Sequence, residues 1–132
     1  MTDGADLLVL IVDDNERNRR LARDVLRFAG LRTIEAGTAM DGVRLAGEAD
    51  PDVILMDIRL PDLDGPAALA LLRAEARTSG IPIVAVTSSA MMGDRERLLA
   101  AGFDGYLEKP INVREFAGQV RAHARQQEGW RG

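Results

Sequence analysis

"VILMDIRLPDLDG", residues Val53 to Gly65, decides how this chain folds. Four apolar residues run straight into Asp57, and Asp62 and Asp64 follow within a few positions. A run that is apolar at every residue reads as a strand buried on both faces, as in a parallel sheet. Ending that strand on a carboxylate puts a charge that is costly to desolvate at the edge of a core. What meets that charge must be found elsewhere in the sequence.

Four more strand-like runs flank this one: "LLVLIV" (Leu7–Val12), "RTIEA" (Arg32–Ala36), "PIVAV" (Pro82–Val86) and "GYLE" (Gly105–Glu108). Helical patterns separate them. The first helix starts near Glu16, carries Leu21, Ala22, Val25, Leu26 and Ala29 on its core face, and stops at Gly30. Thr38 with Asp41 three residues on resembles a capping box and opens a helix to about Ala49. Gly65-Pro66 opens the helix carrying Leu69 and Leu72. "SAMMGDRERLLAAG" reads as a helix ending at Gly102, with Gly93 weakening its first turns. Asn112 with Glu115 caps a last helix whose core face is Val113, Phe116, Ala117, Val120 and Ala124. Strand and helix alternating five times predict an α/β fold, a doubly wound parallel sheet with helices on both faces.

The 132 residues suit one domain, expected over 1–127, with a frayed tail at 128–132. No apolar run is long enough for a membrane span, and "MTDGADLL" has acids where a signal peptide needs a basic region, so a cytoplasmic protein is expected. The absence of cysteine excludes disulfides, thiolate metal sites and thiol catalysis. A net charge of −4 gives no basic footprint for nucleic acid. Sixteen of the seventeen basic residues are arginine, and the one lysine is Lys109. A compact ammonium suits that position better than a planar guanidinium fork.

Open α/β sheets place their sites at the carboxyl ends of the strands. Asp13, Asp14 and Asn15 follow the first strand, Asp57 ends the third, Thr87, Ser88 and Ser89 follow the fourth, and Lys109-Pro110 follows the fifth. An Asp-Asp pair alone is weak evidence, because acids at strand ends often cap the next helix. Joined by Asp57, Thr87 and Lys109 from other strands, it points to a site. Carboxylates gathered there repel one another unless a cation joins them, and hard oxygen ligands suit Mg²⁺. A divalent ion, an ammonium and a hydroxyl are the groups that phosphoryl transfer needs, and Asp57 is the natural nucleophile.

"LIVDDN", "ILMDIRLPDLDG", "AVTSSAM" and "YLEKP" occur in the order and spacing of the response-regulator receiver domains of bacterial two-component and phosphorelay signalling, which the chain resembles over essentially its whole length. "DDNERN" and "TSSAMMGDRERLLAAG" are most similar to free-standing regulators of the DivK type and to receivers attached to hybrid kinases. The resemblance implies a flavodoxin-like (βα)₅ fold with strand order 2-1-3-4-5. It implies Asp57 as phosphoacceptor and Mg²⁺ held by Asp14, Asp57 and the backbone carbonyl of Arg59, with Asp13 acting through water. Lys109 would pair with phosphoryl oxygens, and the Lys109–Pro110 bond is expected to be cis. Thr87 and Tyr106 match the family's switch pair, while Arg59 and Ser89 occupy positions that tune phosphoryl lifetime.

The implied partners are a sensor histidine kinase or histidine phosphotransferase, docking on the first helix beside Arg17, Asn18 and Arg19. A downstream protein would be met by the fourth helix, fifth strand and fifth helix; homodimerisation stays open. Two alternatives remain. A haloacid-dehalogenase-type phosphatase would also use Asp57 covalently, but it needs a second acid where this chain has Arg59. A binding module indifferent to phosphorylation is the other. His123 is expected on the solvated surface, Met91 and Met92 either pack or face a partner, and Trp130 is expected to be incidental in the tail.

Overall fold

Five strands and five helices alternate through residues 7–88 and 94–125, the residues described by the computed structural model. They are β1 (Leu8–Val12), α1 (Glu16–Phe28), β2 (Arg32–Ala36), α2 (Ala39–Ala49), β3 (Val53–Asp57), α3 (Gly65–Ala74), β4 (Ile83–Thr87), α4 (Asp94–Ala101), β5 (Gly105–Glu108) and α5 (Val113–His123). All strand pairs are parallel, in the order β2-β1-β3-β4-β5. This is the expected sheet, with β3 and β4 each reaching one residue further to include Asp57 and Thr87.

Strand alternation sorts the core into two layers. Val9 and Ile11 of β1, Val53 and Leu55 of β3, Val84 and Val86 of β4 and Leu107 of β5 face α1 and α5, where Ala22, Leu26, Phe116, Val120 and Ala124 cover them. Leu10, Val12, Ile54, Met56, Ile83 and Ala85 face the other way, under Ala39, Ala46, Ala68, Leu69 and Leu72 of α2 and α3. Side chains such as Leu26, Ile54 and Phe116 are almost wholly enclosed, each contributing about 1.5–3 kcal/mol by leaving water. The continuous apolar runs of the central strands are explained by this double coverage.

The helix ends follow from side chains in the flanking turns. Asn15, Thr38, Asp64 and Asn112 are N-caps, each accepting a backbone N–H from the first turn. Gly30 and Gly102 follow α1 and α4 with φ of +94° and +118°, a conformation that glycine alone adopts freely. Asp62 does something the sequence did not announce: its two carboxylate oxygens accept the N–H groups of Ala39 and Met40, each at 2.9 Å, and tie the β3–α3 loop to the start of α2.

Three expectations about packing are corrected. Helical spacing puts Leu21 and Val113 on core faces, yet they are 44% and 57% exposed. Leu21 lies near the carboxyl edge of the sheet, and Val113 opens α5; neither position is covered by the layers above. His123 was expected in solvent but is half-buried. Its Nδ1 lies 2.9 Å from the Gln119 carbonyl and its ring lies against Gly105, where an added Cβ would collide with Nε2. The missing side chain on β5 makes the seat for the imidazole. Ser89, Met91, Met92 and Trp130 lie outside the described residues, as do residues 128–132 of the expected tail.

Candidate functional site

Register brings the acids together. Val12 of β1 pairs with Met56 of β3, so the next residues, Asp13 and Asp57, leave adjacent strands side by side. By alternation both continue the row that faces α1 and α5, and so does Lys109, two residues beyond Leu107. The Lys109 ammonium lies 2.9 Å from Asp57 Oδ2 and 3.0 Å from Asp13 Oδ2. Its backbone N–H donates to the Thr87 carbonyl at 2.8 Å, hooking the end of β5 onto the end of β4. The Lys109–Pro110 peptide is cis.

Each carboxylate has a second tether. Asp57 Oδ1 accepts the Arg59 N–H at 3.0 Å, and Asp13 Oδ1 accepts the Asn15 N–H at 2.9 Å. Asp13 and Asp57 are buried, whereas Asp14 is exposed at the mouth. Oxygens of Asp13, Asp14 and Asp57 all lie within 4.8 Å of one another. Burial pushes the Asp57 carboxyl above its usual range, and the hydrogen bonds from Lys109 and Arg59 pull it back only in part. Burial also acts against the Lys109 ammonium, but its hydrogen bonds to Asp57 and Asp13 outweigh that and hold its pKa above the ordinary lysine value.

Three carboxylates against one ammonium leave an excess of negative charge in a largely enclosed corner. The donors are all hard oxygens on three residues, with the solvent-facing side open beyond Asp14. That set fits a small divalent cation that keeps several waters, namely Mg²⁺.

The other expected site residues lie around this corner. Thr87 is buried at the end of β4 and, with Ile58, Arg59, Asp64, Asp94 and Arg97, lines a depression on the α3–α4 side. The backbones of Arg59 and Asp64 form an isolated antiparallel bridge across the loop that leaves β3. Tyr106 is half-buried on β5 and lines a separate surface hollow with Arg95, Glu108 and Gln119. Arg17 and Asn18 are exposed, but Arg19, grouped with them as a docking residue, turns inward and binds the Asp13 carbonyl. Beside Asp57 and Lys109, Asn18, Leu21, Pro110, Ile111 and Phe116 line an apolar cleft between α1 and the β5–α5 turn. Leu21, whose helical spacing suggests the core, is the sequence signal for this cleft.

Comparison with known proteins agrees with this geometry. The response regulator receiver domain family matches residues 9–121. The polar-differentiation response regulator DivK of Brucella ovis is 39% identical over 115 residues, covering 87% of this chain and 94% of DivK. The chemotaxis response regulator CheY4 of Vibrio cholerae superposes with a TM-score of 0.81 at 25% identity, covering 88% of this chain and 97% of CheY4. The receiver domain of sensor histidine kinase PA1611 from Pseudomonas aeruginosa PAO1, solved with a magnesium ion coordinated in its active site cleft, superposes with a TM-score of 0.81 at 36% identity, covering 89% and 97%. With its sheet order, its acidic corner and its lysine all in one frame, this chain belongs to the response regulator receiver domains, the phosphoacceptor modules of two-component signalling.

Proposed function

We propose that this domain accepts a phosphoryl group on Asp57 from a phosphohistidine of a sensor histidine kinase or histidine phosphotransferase. The observation that carries the reading is the Lys109 ammonium seated between Asp57 and Asp13, with Asp14 completing the acidic cluster. A carboxylate oxygen of Asp57 attacks phosphorus, a P–O bond forms, the P–N bond to imidazole breaks, and the imidazole leaves with the bonding pair. Lys109 supplies a fixed positive charge where the phosphoryl oxygens would lie. The Arg59 N–H, already on Oδ1, would hold that oxygen while the other attacks. Thr87, buried at the end of the neighbouring strand, would offer its hydroxyl to the transferred group.

Asp14, Asp57 and the Arg59 carbonyl would hold Mg²⁺, with Asp13 acting through water. When bound, the ion neutralises charge that builds on the phosphoryl oxygens. The cleft lined by Asn18, Leu21, Pro110 and Ile111 supports docking of the phosphodonor on α1, since it opens directly beside Asp57. Modification then shifts a two-state equilibrium through Thr87 and Tyr106 to the surface of α4, β5 and α5, where a downstream protein would read it. Arg59, and with it Ser89, would set how long the phosphoryl group survives. The domain supplies groups for its own modification without turning over an outside substrate, and it would act in the cytoplasm. Among the described residues no helix is long and apolar enough to cross a membrane.

The test is transfer of radiolabel from a phosphorylated histidine kinase in the presence of Mg²⁺. The wild type should become labelled, with label lost in Asp57→Asn and in chelator. Equal, acid-stable labelling of Asp57→Asn would contradict the assignment.

A further inference from the structure

Arg19 stands apart from the other arginines of α1. It is mostly covered, and its guanidinium does two things at once: Nη1 donates to the main-chain carbonyl of Asp13 at 2.7 Å, and Nε donates to Glu35 Oε1 of β2 at 3.3 Å. It also lies over Gly37, where a Cβ would stand 3.3 Å from Nη1. Arg23 contacts the second oxygen of Glu35 at 3.5 Å, so the acid is gripped from both sides. The peptide that Arg19 holds joins Asp13 to Asp14. Its orientation fixes where the chain turns out of β1 and therefore how both carboxylates face Asp57.

We infer that Arg19, anchored by Glu35, is a positioning residue for the Asp13–Asp14 pair, setting the cation affinity of the acidic corner without touching the cation. The inference rests on the metal reading proposed above. A lysine cannot replace the fork, because one ammonium does not supply two donors in fixed directions to a carbonyl and a carboxylate. Groups that orient ligands from behind typically change metal affinity by about 10–100-fold when removed. The sign is informative. Arg19 is a cation near a cation site, so if it acted only through its charge, its removal would tighten Mg²⁺ binding.

The experiment measures the Mg²⁺ dissociation constant by calorimetry on the full chain and on Arg19→Lys, Arg19→Met and Glu35→Gln, with ¹H–¹⁵N spectra of the metal-free proteins. The expected result is a rise of about tenfold in the dissociation constant for both Arg19 variants, and a smaller rise for Glu35→Gln. The Asn15 amide, which donates to Asp13 Oδ1, should shift in the metal-free spectra. Wild-type affinity in Arg19→Lys, tighter binding in Arg19→Met, or a lower melting temperature with unchanged affinity would each overturn the inference. If Arg19→Met does not fold, Arg19→Lys and Glu35→Gln decide. A wild type that binds no Mg²⁺ would strike the metal reading itself.

Discussion

Lys109 and Asp57 come from strands that are not neighbours, yet their side chains meet at 2.9 Å, because β4 between them ends on the threonine whose carbonyl holds the Lys109 backbone. The contact is made at the sheet's carboxyl edge, where one ammonium also reaches Asp13. Lys109→Arg keeps the charge but puts a planar fork where two acids converge on one point. Phosphoryl incorporation from acetyl phosphate should slow by about tenfold or more, a part of what losing a preorganised electrostatic donor costs. Wild-type rates in the arginine variant would show that charge alone suffices.

Asp57→Asn should raise the melting temperature of the metal-free protein by a few degrees. Burial raises the Asp57 pKa above the ordinary 3.8, so its ionised form is costlier in the folded state than in the unfolded one. That cost is absent at pH below the ordinary value and complete once pH exceeds the raised one. The gap between variant and wild type should therefore open as pH rises and close in acid. Asp13 continues to pair with Lys109 in the variant. Melting curves in chelator across pH check the sign.

Asp62→Ala should lower the melting temperature at neutral pH, because the N–H groups of Ala39 and Met40 lose their acceptors. Those two hydrogen bonds depress the Asp62 pKa below 3.8. Their stabilisation is present above the ordinary value and is lost as pH falls through the depressed one. The difference from wild type should fade in strong acid. A difference that persists there would assign the effect to something other than the charged cap.

Gly105→Ala should destabilise the fold by about 1–3 kcal/mol, since the new Cβ meets the His123 ring well inside contact distance. Removing the ring in His123→Ala should make the same glycine substitution much less costly. A denaturant double-mutant cycle measures the coupling, and strictly additive effects would contradict the packing.

Much of this molecule was legible in its sequence, for physical reasons that can be named. The central strands are apolar at every residue because helices cover both of their faces, and that continuity distinguishes them from half-buried strands. Thr38 and Asn112 stand at helix starts where their side-chain oxygens satisfy first-turn donors. The acids and the lysine stood out because each follows a strand whose end lies at the same edge. What escaped depended on distances that spacing does not carry. Asp62 and Asp64 stand close to Asp57 in sequence, but they bind backbone N–H groups of α2 and α3. Arg19 reads like any exposed arginine until β2 brings Glu35 beside it. Leu21 has helical spacing for the core, yet its turn of α1 overlooks the cleft beside Lys109. His123 needed the absence of a side chain on β5, a contact between two residues eighteen apart.

Site mapping of the transferred group asks whether Asp57 itself accepts it. The protein is incubated with acetyl phosphate and Mg²⁺, the acyl phosphate is reduced with borohydride, and the modified residue is located by peptide sequencing in a mass spectrometer. Modification is expected at Asp57 and nowhere else, abolished by chelator. Modification at another residue, or none in protein shown to bind Mg²⁺, would contradict that assignment.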